Sequence, residues 1–233
     1  MKKVNYYSSQ SDFLVEEYKN AIKGEGIFVA KFEESVDLLK LVSSIGTPHS
    51  HNGNEKYVWD IKPIPGKTSG EVARSQTLEE FIFHTDCSFE YPPPSYVALY
   101  VIQKDRFGGG ITRLVDFHDV VKRLDNHTKD ILKTTFQVKV PNEFIKDAEY
   151  SQVPIMFGKN QIAYRRECII DTLCAPDQLH ALNSLDATIA SLGNSHNLLL
   201  ENGTVLFLDN TRYLHARTAV KDDSRHLQRV RYF

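Results

Sequence analysis

A short apolar run, Phe81-Ile82-Phe83, leads directly into His84, Thr85 and Asp86. On a strand, side chains alternate faces, so Ile82, His84 and Asp86 are expected on one side and Phe81, Phe83 and Thr85 on the other. An imidazole and a carboxylate two residues apart then converge on one ion without strain. A second imidazole is available far along the chain, at His215 in Leu214-His215-Ala216-Arg217-Thr218. Two imidazoles and one carboxylate on one face of an octahedron are the donor set of non-haem Fe(II) oxygenases, with positions left open opposite. The same donors with a bound water also suit a hydrolytic zinc site.

Arginines follow the second imidazole. Arg225, Leu227, Arg229 and Arg231 fall on one face of a final strand. Cations on an inward face are costly unless an anion is bound there, and the guanidinium fork matches the two oxygens of a carboxylate. Other candidates have plainer roles. His49 and His51 form a His-x-His pair, but no carboxylate follows until Glu55, which favours a substrate-loop or surface position. His118, His127, His180 and His196 sit in helical or polar contexts, and His226 alternates away from the inward face. In Tyr164-Arg165-Arg166-Glu167 one arginine can reach a pocket, or the segment is a solvated edge strand. Cys87 is expected in the core, and Tyr213 and Arg217 either line the mouth of a site or pack. Gly108-Gly109-Gly110 reads as a turn before Thr112, because no helix with a Lys-Ser/Thr start follows it.

These residues need a scaffold of many short strands. Apolar periodicity predicts helices over residues 11–23, 35–44, 117–124, 128–135 and from Pro176 to Leu192. Strands are predicted over residues 27–30, 57–61, 81–86, 95–103, 111–115, 136–140, 153–157, 161–170, 214–220 and 225–233. Leu198-Leu199-Leu200, Asn202-Gly203 and residues 204–208 together give a hairpin signal. No repeat or linker divides the 233 residues, so a single domain over 1–233 is expected. The class is mainly β with flanking helices, arranged as a jelly roll.

Composition narrows the function. The formal net charge of -2 provides no basic field for nucleic acid or an anionic membrane. There is no apolar run long enough to span a bilayer and no signal-peptide pattern at the N-terminus. Three cysteines without a Cys-x-x-Cys pair favour a reducing, cytoplasmic setting. No pattern specifies an oligomeric state.

His84-x-Asp86, the Gly-rich turn with Thr112, His215, Arg225 and Arg229 together resemble the Fe(II)/2-oxoglutarate dioxygenases of the taurine dioxygenase/clavaminate synthase type. Asp209-Asn210 through Thr218 and Arg225-His226-Leu227-Gln228-Arg229 are most similar to the clavaminate synthase-like branch. The resemblance implies a double-stranded β-helix in which the strands bearing His215 and Arg225 lie in opposing sheets. It implies Fe(II) at His84, Asp86 and His215, and 2-oxoglutarate with its far carboxylate on Arg225 and Thr112. Arg229 would face the pocket and receive an anionic group of the substrate or cosubstrate. The implied reaction consumes O2 and oxidises a C–H bond of a small molecule, an amino acid or its derivative, with release of succinate and CO2. Asp86 departs from halogenating relatives, which lack that carboxylate. Two rivals remain from the residues alone: a zinc hydrolase on the same three donors, and a non-catalytic jelly-roll binding module.

Overall fold

Gly26 ends the first helix in a left-handed conformation (φ 73°) that favours glycine, and the chain turns there into a core strand. The computed structural model describes residues 3–50, 55–145, 148–193 and 196–233. In chain order the helices are α1 (Val15–Glu25), α2 (Leu38–Ser43), α3 (Phe117–Val121), α4 (Asn126–Leu132) and α5 (Pro176–Leu192). The strands are β1 (Val4–Tyr7), β2 (Ile27–Phe32), β3 (Pro48–His49), β4 (Trp59–Ile61), β5 (Phe81–His84), β6 (Tyr96–Gln103), β7 (Thr112–Asp116) and β8 (Thr135–Lys139). They continue with β9 (Tyr150–Pro154), β10 (Met156–Phe157), β11 (Gln161–Ile162), β12 (His196–Leu198), β13 (Thr204–Asp209), β14 (Tyr213–Arg217) and β15 (His226–Tyr232).

Two sheets carry the molecule. The larger has the order β1-β2-β13-β6-β15-β3, with β4 also paired to β15; the smaller has the order β12-β7-β14-β5. Alternation sorts the large sheet's side chains into two layers. Phe28, Ala30, Ala98, Tyr100, Val205, Phe207, Val230 and Tyr232 pack with α1 and α2 on its outer face. Val29, Leu99, Val101, Leu206, Leu208 and Leu227 turn inward and meet Leu114 and Tyr213 of the small sheet. A third cluster lies beneath α3, α4 and α5, centred on Phe117, Leu132, Phe136, Leu182 and Leu185. Arg229 and Arg231 share Leu227's inward parity on β15, and both are buried.

Three expectations need correction. Residues 198–208 form no hairpin: β12 pairs with β7 in the small sheet, while β13 lies between β2 and β6 in the large one. The Asn202-Gly203 turn is held by Gly203 N donating to Val101 O (2.7 Å) and Phe32 N donating to Gly203 O (2.9 Å), so it feeds the chain into the other sheet. The strand expected over 161–170 stops at Ile162. Beyond it Arg166 bonds both oxygens of Asp171 at 2.7 Å and also reaches Asp186, folding the segment into short turns. The alternation expected through 81–86 also fails, as described below. Among the described residues no helix is long and apolar enough to cross a membrane.

Candidate metal centre

β5 and β14 are antiparallel, and His84 is the direct cross-strand partner of His215. Their rings lie 4.3 Å apart between centroids. The next aligned pair is Phe81 with Arg217, so three steps on β5 oppose two on β14. That extra residue is a bulge, and it reverses the facing of whatever precedes it. Phe81 therefore shares the His84 side and stacks on its ring at 3.8 Å, while Ile82 is exposed. The strand ends at His84, and Asp86 lies in the turn beyond it.

That turn is pinned from several directions. Thr85 N donates to Tyr164 O (2.7 Å), and Tyr164 N donates to Thr85 Oγ1 (2.8 Å). Asn210, fully buried, accepts from Asp86 N (2.8 Å) and donates to both Asp86 O (3.0 Å) and Pro94 O (2.8 Å). The result brings His84 Nε2 and His215 Nε2 each to 3.9 Å from Asp86 Oδ1. All three donors lie within 4.8 Å of one another and are buried.

Their protonation suits a cation. The Ile82 carbonyl, 2.8 Å from His84 Nδ1, can only accept, so Nδ1 carries the proton and Nε2 offers a lone pair. Burial holds the His84 imidazole well below its usual range, and neighbouring His215 adds to this against the pull of Asp86. Burial likewise lowers His215, opposed by Asp86. For Asp86, burial raises the carboxyl, but Arg229, Arg231, His215 and His84 together outweigh it and hold it well below the usual carboxylate range. Two neutral imidazoles and one carboxylate are the forms that bind a divalent ion.

Arg229 Nη1 donates to Asp86 Oδ1 at 3.0 Å and Arg231 Nε to Oδ2 at 3.2 Å. Arg231 also reaches Cys87 Sγ (3.0 Å) and lies over the Phe144 ring. Arg229 Nε is buried without a hydrogen-bond partner among the described residues, and the residue lines the cavity beside His84 and Asp86. Cys87 is in the core as expected, though at positive φ (54°) rather than on a continuing strand. Burial pushes its thiol up to about 12.

Arg225 stands just before β15, in a second recess lined by Thr112, Gly109, Gly110, Val101 and Leu227. Its guanidinium is buried and forms no hydrogen bond or ion pair among the described residues. Asp105 is the carboxylate nearest in effect, but its oxygens are occupied by the backbone N–H groups of Phe107 (2.8 Å), Lys221 (2.6 Å) and Asp222 (3.2 Å). Burial lowers the guanidinium to about 10, which leaves it charged at neutral pH. His215 lies in the small sheet, while Arg225 immediately precedes β15 of the large one rather than standing on a strand as the resemblance implies.

The remaining candidates separate from this centre. His49 pairs with Glu90 (2.9 Å) and, with Cys87 and Glu90, makes a second group of ligand-type side chains. The guanidinium on Cys87 opposes a cation there. His51 lies outside the described residues. His226 pairs with Asp60 (2.7 Å) away from the inward face. Arg217 packs: it donates to the carbonyls of Glu79 (2.6 Å), Thr77 (2.7 Å) and Arg74 (3.2 Å), tying that loop to the strand of His215. Arg165 does reach the cavity, over the Phe81 ring at 5.0 Å. Sequence reasoning missed Asn210, Arg231 and Phe81 as parts of the centre. The inward parity of Arg231 was a usable signal; the bulge that turns Phe81 had none.

Residues 23–231 match the family described as taurine catabolism dioxygenase TauD, TfdA family. The chain belongs to this dioxygenase family and is an oxidoreductase. Among solved structures it is similar to an asparagine oxygenase in complex with Fe(II), 2S,3S-3-hydroxyasparagine and succinate. The TM-score is 0.78 at 19% identity, over 96% of this chain and 78% of that one. It is also similar to the non-heme iron oxygenase OrfP in complex with Fe and alpha-ketoglutaric acid, with TM-score 0.72 at 18% identity over 94% and 78% of the two chains. The same enzyme with Fe, succinate and (3S)-hydroxy-L-Arg gives 0.73 at 18% identity over 96% and 81%. Comparison with curated protein sequences returns no match.

Proposed function

We propose that this protein is an Fe(II)- and 2-oxoglutarate-dependent oxygenase that hydroxylates an unactivated C–H bond of an amino acid or an amino-acid-derived small molecule. The observation that carries this is a buried His84–Asp86–His215 donor set together with a buried cation, Arg225, that pairs with no carboxylate among the described residues. His84, Asp86 and His215 would hold the iron. When bound, the iron and the keto acid supply the oxidising power, as O2 is consumed, 2-oxoglutarate loses CO2 and becomes succinate, and one oxygen atom enters the substrate. The protein's own residues orient and exclude water. Arg225 and Thr112 receive the far carboxylate of 2-oxoglutarate, and Arg231 fixes the Asp86 carboxylate through Oδ2. Arg229, which lines the cavity and whose Nε has no hydrogen-bond partner among the described residues, is placed to receive a substrate carboxylate.

The scaffold of this proposal is one jelly-roll domain over residues 1–233, its two sheets enclosing the centre. Its partner is a small molecule rather than nucleic acid or membrane, and three free thiols suit a cytoplasmic setting. A zinc hydrolase or a non-catalytic binding module gives Arg225 and Thr112 no task. The test is succinate formation from 2-oxoglutarate with added Fe(II), across free amino acids. Hydrolysis with Zn2+ and no succinate would reject the proposal.

Two positioning residues give further expected results. Asn210→Ala strips the Asp86 backbone of its acceptor and two carbonyls of their donor, and Fe(II) affinity should fall roughly 10–100-fold, read by anaerobic metal titration. Gly110 sits at φ 61°, and a Cβ there would lie 2.6 Å from Arg225 Nε. Gly110→Ala should therefore displace Arg225 and raise the 2-oxoglutarate concentration needed for half-maximal turnover, with Fe(II) affinity unchanged.

A further inference from the structure

Phe81 is buried, yet it belongs to none of the hydrophobic clusters formed by the described residues. Phe83, two residues on, packs against the cluster beneath α3, α4 and α5. The ring of Phe81 meets the metal centre instead. It lies 3.8 Å from the His84 imidazole between centroids and 13° from parallel, and it lines the cavity of the donor set. The guanidiniums of Arg165 and Arg74 lie over the same ring at 5.0 and 6.0 Å. Glu167 ties those two cations together, accepting from Arg165 Nε at 2.7 Å and from Arg74 Nη1 at 3.0 Å.

β5 departs from regular alternation to make this contact. Alternation would set Ile82 beside His84 and turn Phe81 to the other side. The bulge between the His84–His215 and Phe81–Arg217 pairs reverses that and leaves Ile82 exposed. Exposing an isoleucine is unfavourable for the fold. What the strand gains is a flat ring beside the imidazole in place of a branched aliphatic side chain. His84 can use such a support. Its Nδ1 hydrogen bond to the Ile82 carbonyl (2.8 Å) sets the tautomer, but one bond leaves the ring free to rock about the Nδ1···O direction. A near-parallel ring at 3.8 Å blocks that motion and keeps Nε2 aimed at the point shared with His215 and Asp86. The backbone of Arg165 bridges to His84, and the Phe81 ring gives its guanidinium an aromatic face beside the donors.

We propose that Phe81 is a positioning residue of the metal centre, a plate that fixes the plane of the His84 imidazole. This rests on the Fe(II) centre of the function proposed above and adds a residue to it that supplies no donor atom. Anaerobic Fe(II) titration of the full chain reads the effect without turnover. Phe81→Leu keeps an apolar side chain but removes the plate, and Fe(II) affinity should fall at least about tenfold, as for other groups that orient a metal ligand. Phe81→Met, a second ringless variant of more adaptable shape, should lose affinity similarly. Phe81→Tyr keeps the ring and should stay within about threefold of the parent. Phe83→Leu makes the same exchange at the neighbouring phenylalanine, which packs on the core and not on His84, and Fe(II) affinity should again stay within about threefold. A merely structural role would not separate these four variants. Fe(II) affinity near that of the parent in both ringless variants, a loss in Phe81→Tyr as large as in Phe81→Leu, or an equal loss in Phe83→Leu would overturn the inference. Absence of Fe(II) binding in the parent protein would instead remove the metal centre beneath it.

Discussion

His215→Ala is expected to abolish Fe(II)-dependent succinate formation while leaving the fold nearly intact, and Asp86→Ala to lose both. The contrast comes from what each side chain holds in place. His215 Nε2 lies 3.9 Å from Asp86 in the donor cluster, and removal of the ring leaves a modest space beside His84. Asp86 is hydrogen-bonded to two buried guanidiniums, Arg229 at 3.0 Å and Arg231 at 3.2 Å. Deleting it leaves two desolvated cations without their anion, a change that typically destabilises by about 3–5 kcal/mol. Thermal melting without metal should therefore show a large drop for Asp86→Ala and a small one for His215→Ala. Anaerobic Fe(II) titration should show no stoichiometric site in either. Intact iron binding in His215→Ala, with loss in His49→Ala, would mean that the ion sits at the group of His49, Cys87 and Glu90 instead.

How much of this was legible in the sequence follows from the range of the interactions involved. The donor types and order, His84-x-Asp86 and His215, were readable because a metal centre needs particular atoms. The inward parity of β15 was readable because alternation along a strand is local. The three-against-two step between β5 and β14 was not, since a bulge depends on the partner strand. It moves Phe81 to the metal side and leaves Ile82 exposed, opposite to simple alternation. The hairpin expected at Asn202-Gly203 failed for a related reason. The turn chemistry was read correctly, but Gly203 bonds to β6 and β2, which only the tertiary structure brings near. Arg229 shows a further limit. Its parity suggested a free cation, whereas it already shares Asp86 with Arg231 and offers only its remaining donors to a ligand.

Arg225→Leu is expected to raise the 2-oxoglutarate requirement steeply while Fe(II) affinity stays near that of the unaltered protein. The guanidinium is buried, lies beside Thr112 and Gly110, and has no ion pair among the described residues. Asp105 cannot serve as its counter-ion at contact, because three backbone N–H groups already occupy its oxygens. A cation kept in this condition costs the fold stability and returns it only when an anion arrives. Two opposite effects of leucine follow. The protein without cosubstrate should melt no lower than the parent, since a desolvated charge is replaced by an apolar group of similar reach. The complex should lose a charge-assisted hydrogen bond of roughly 1.5–3 kcal/mol, about a 10–150-fold rise in the concentration for half-saturation. Thr112→Val removes one neutral hydrogen bond on the same recess and should have a smaller effect, about 0.5–1.5 kcal/mol. Calorimetric titration of 2-oxoglutarate into the anaerobic Fe(II) protein reads both variants directly. A stabilised Arg225→Leu protein with unchanged 2-oxoglutarate affinity would place the far carboxylate elsewhere. Arg229 would then be the next cation to test.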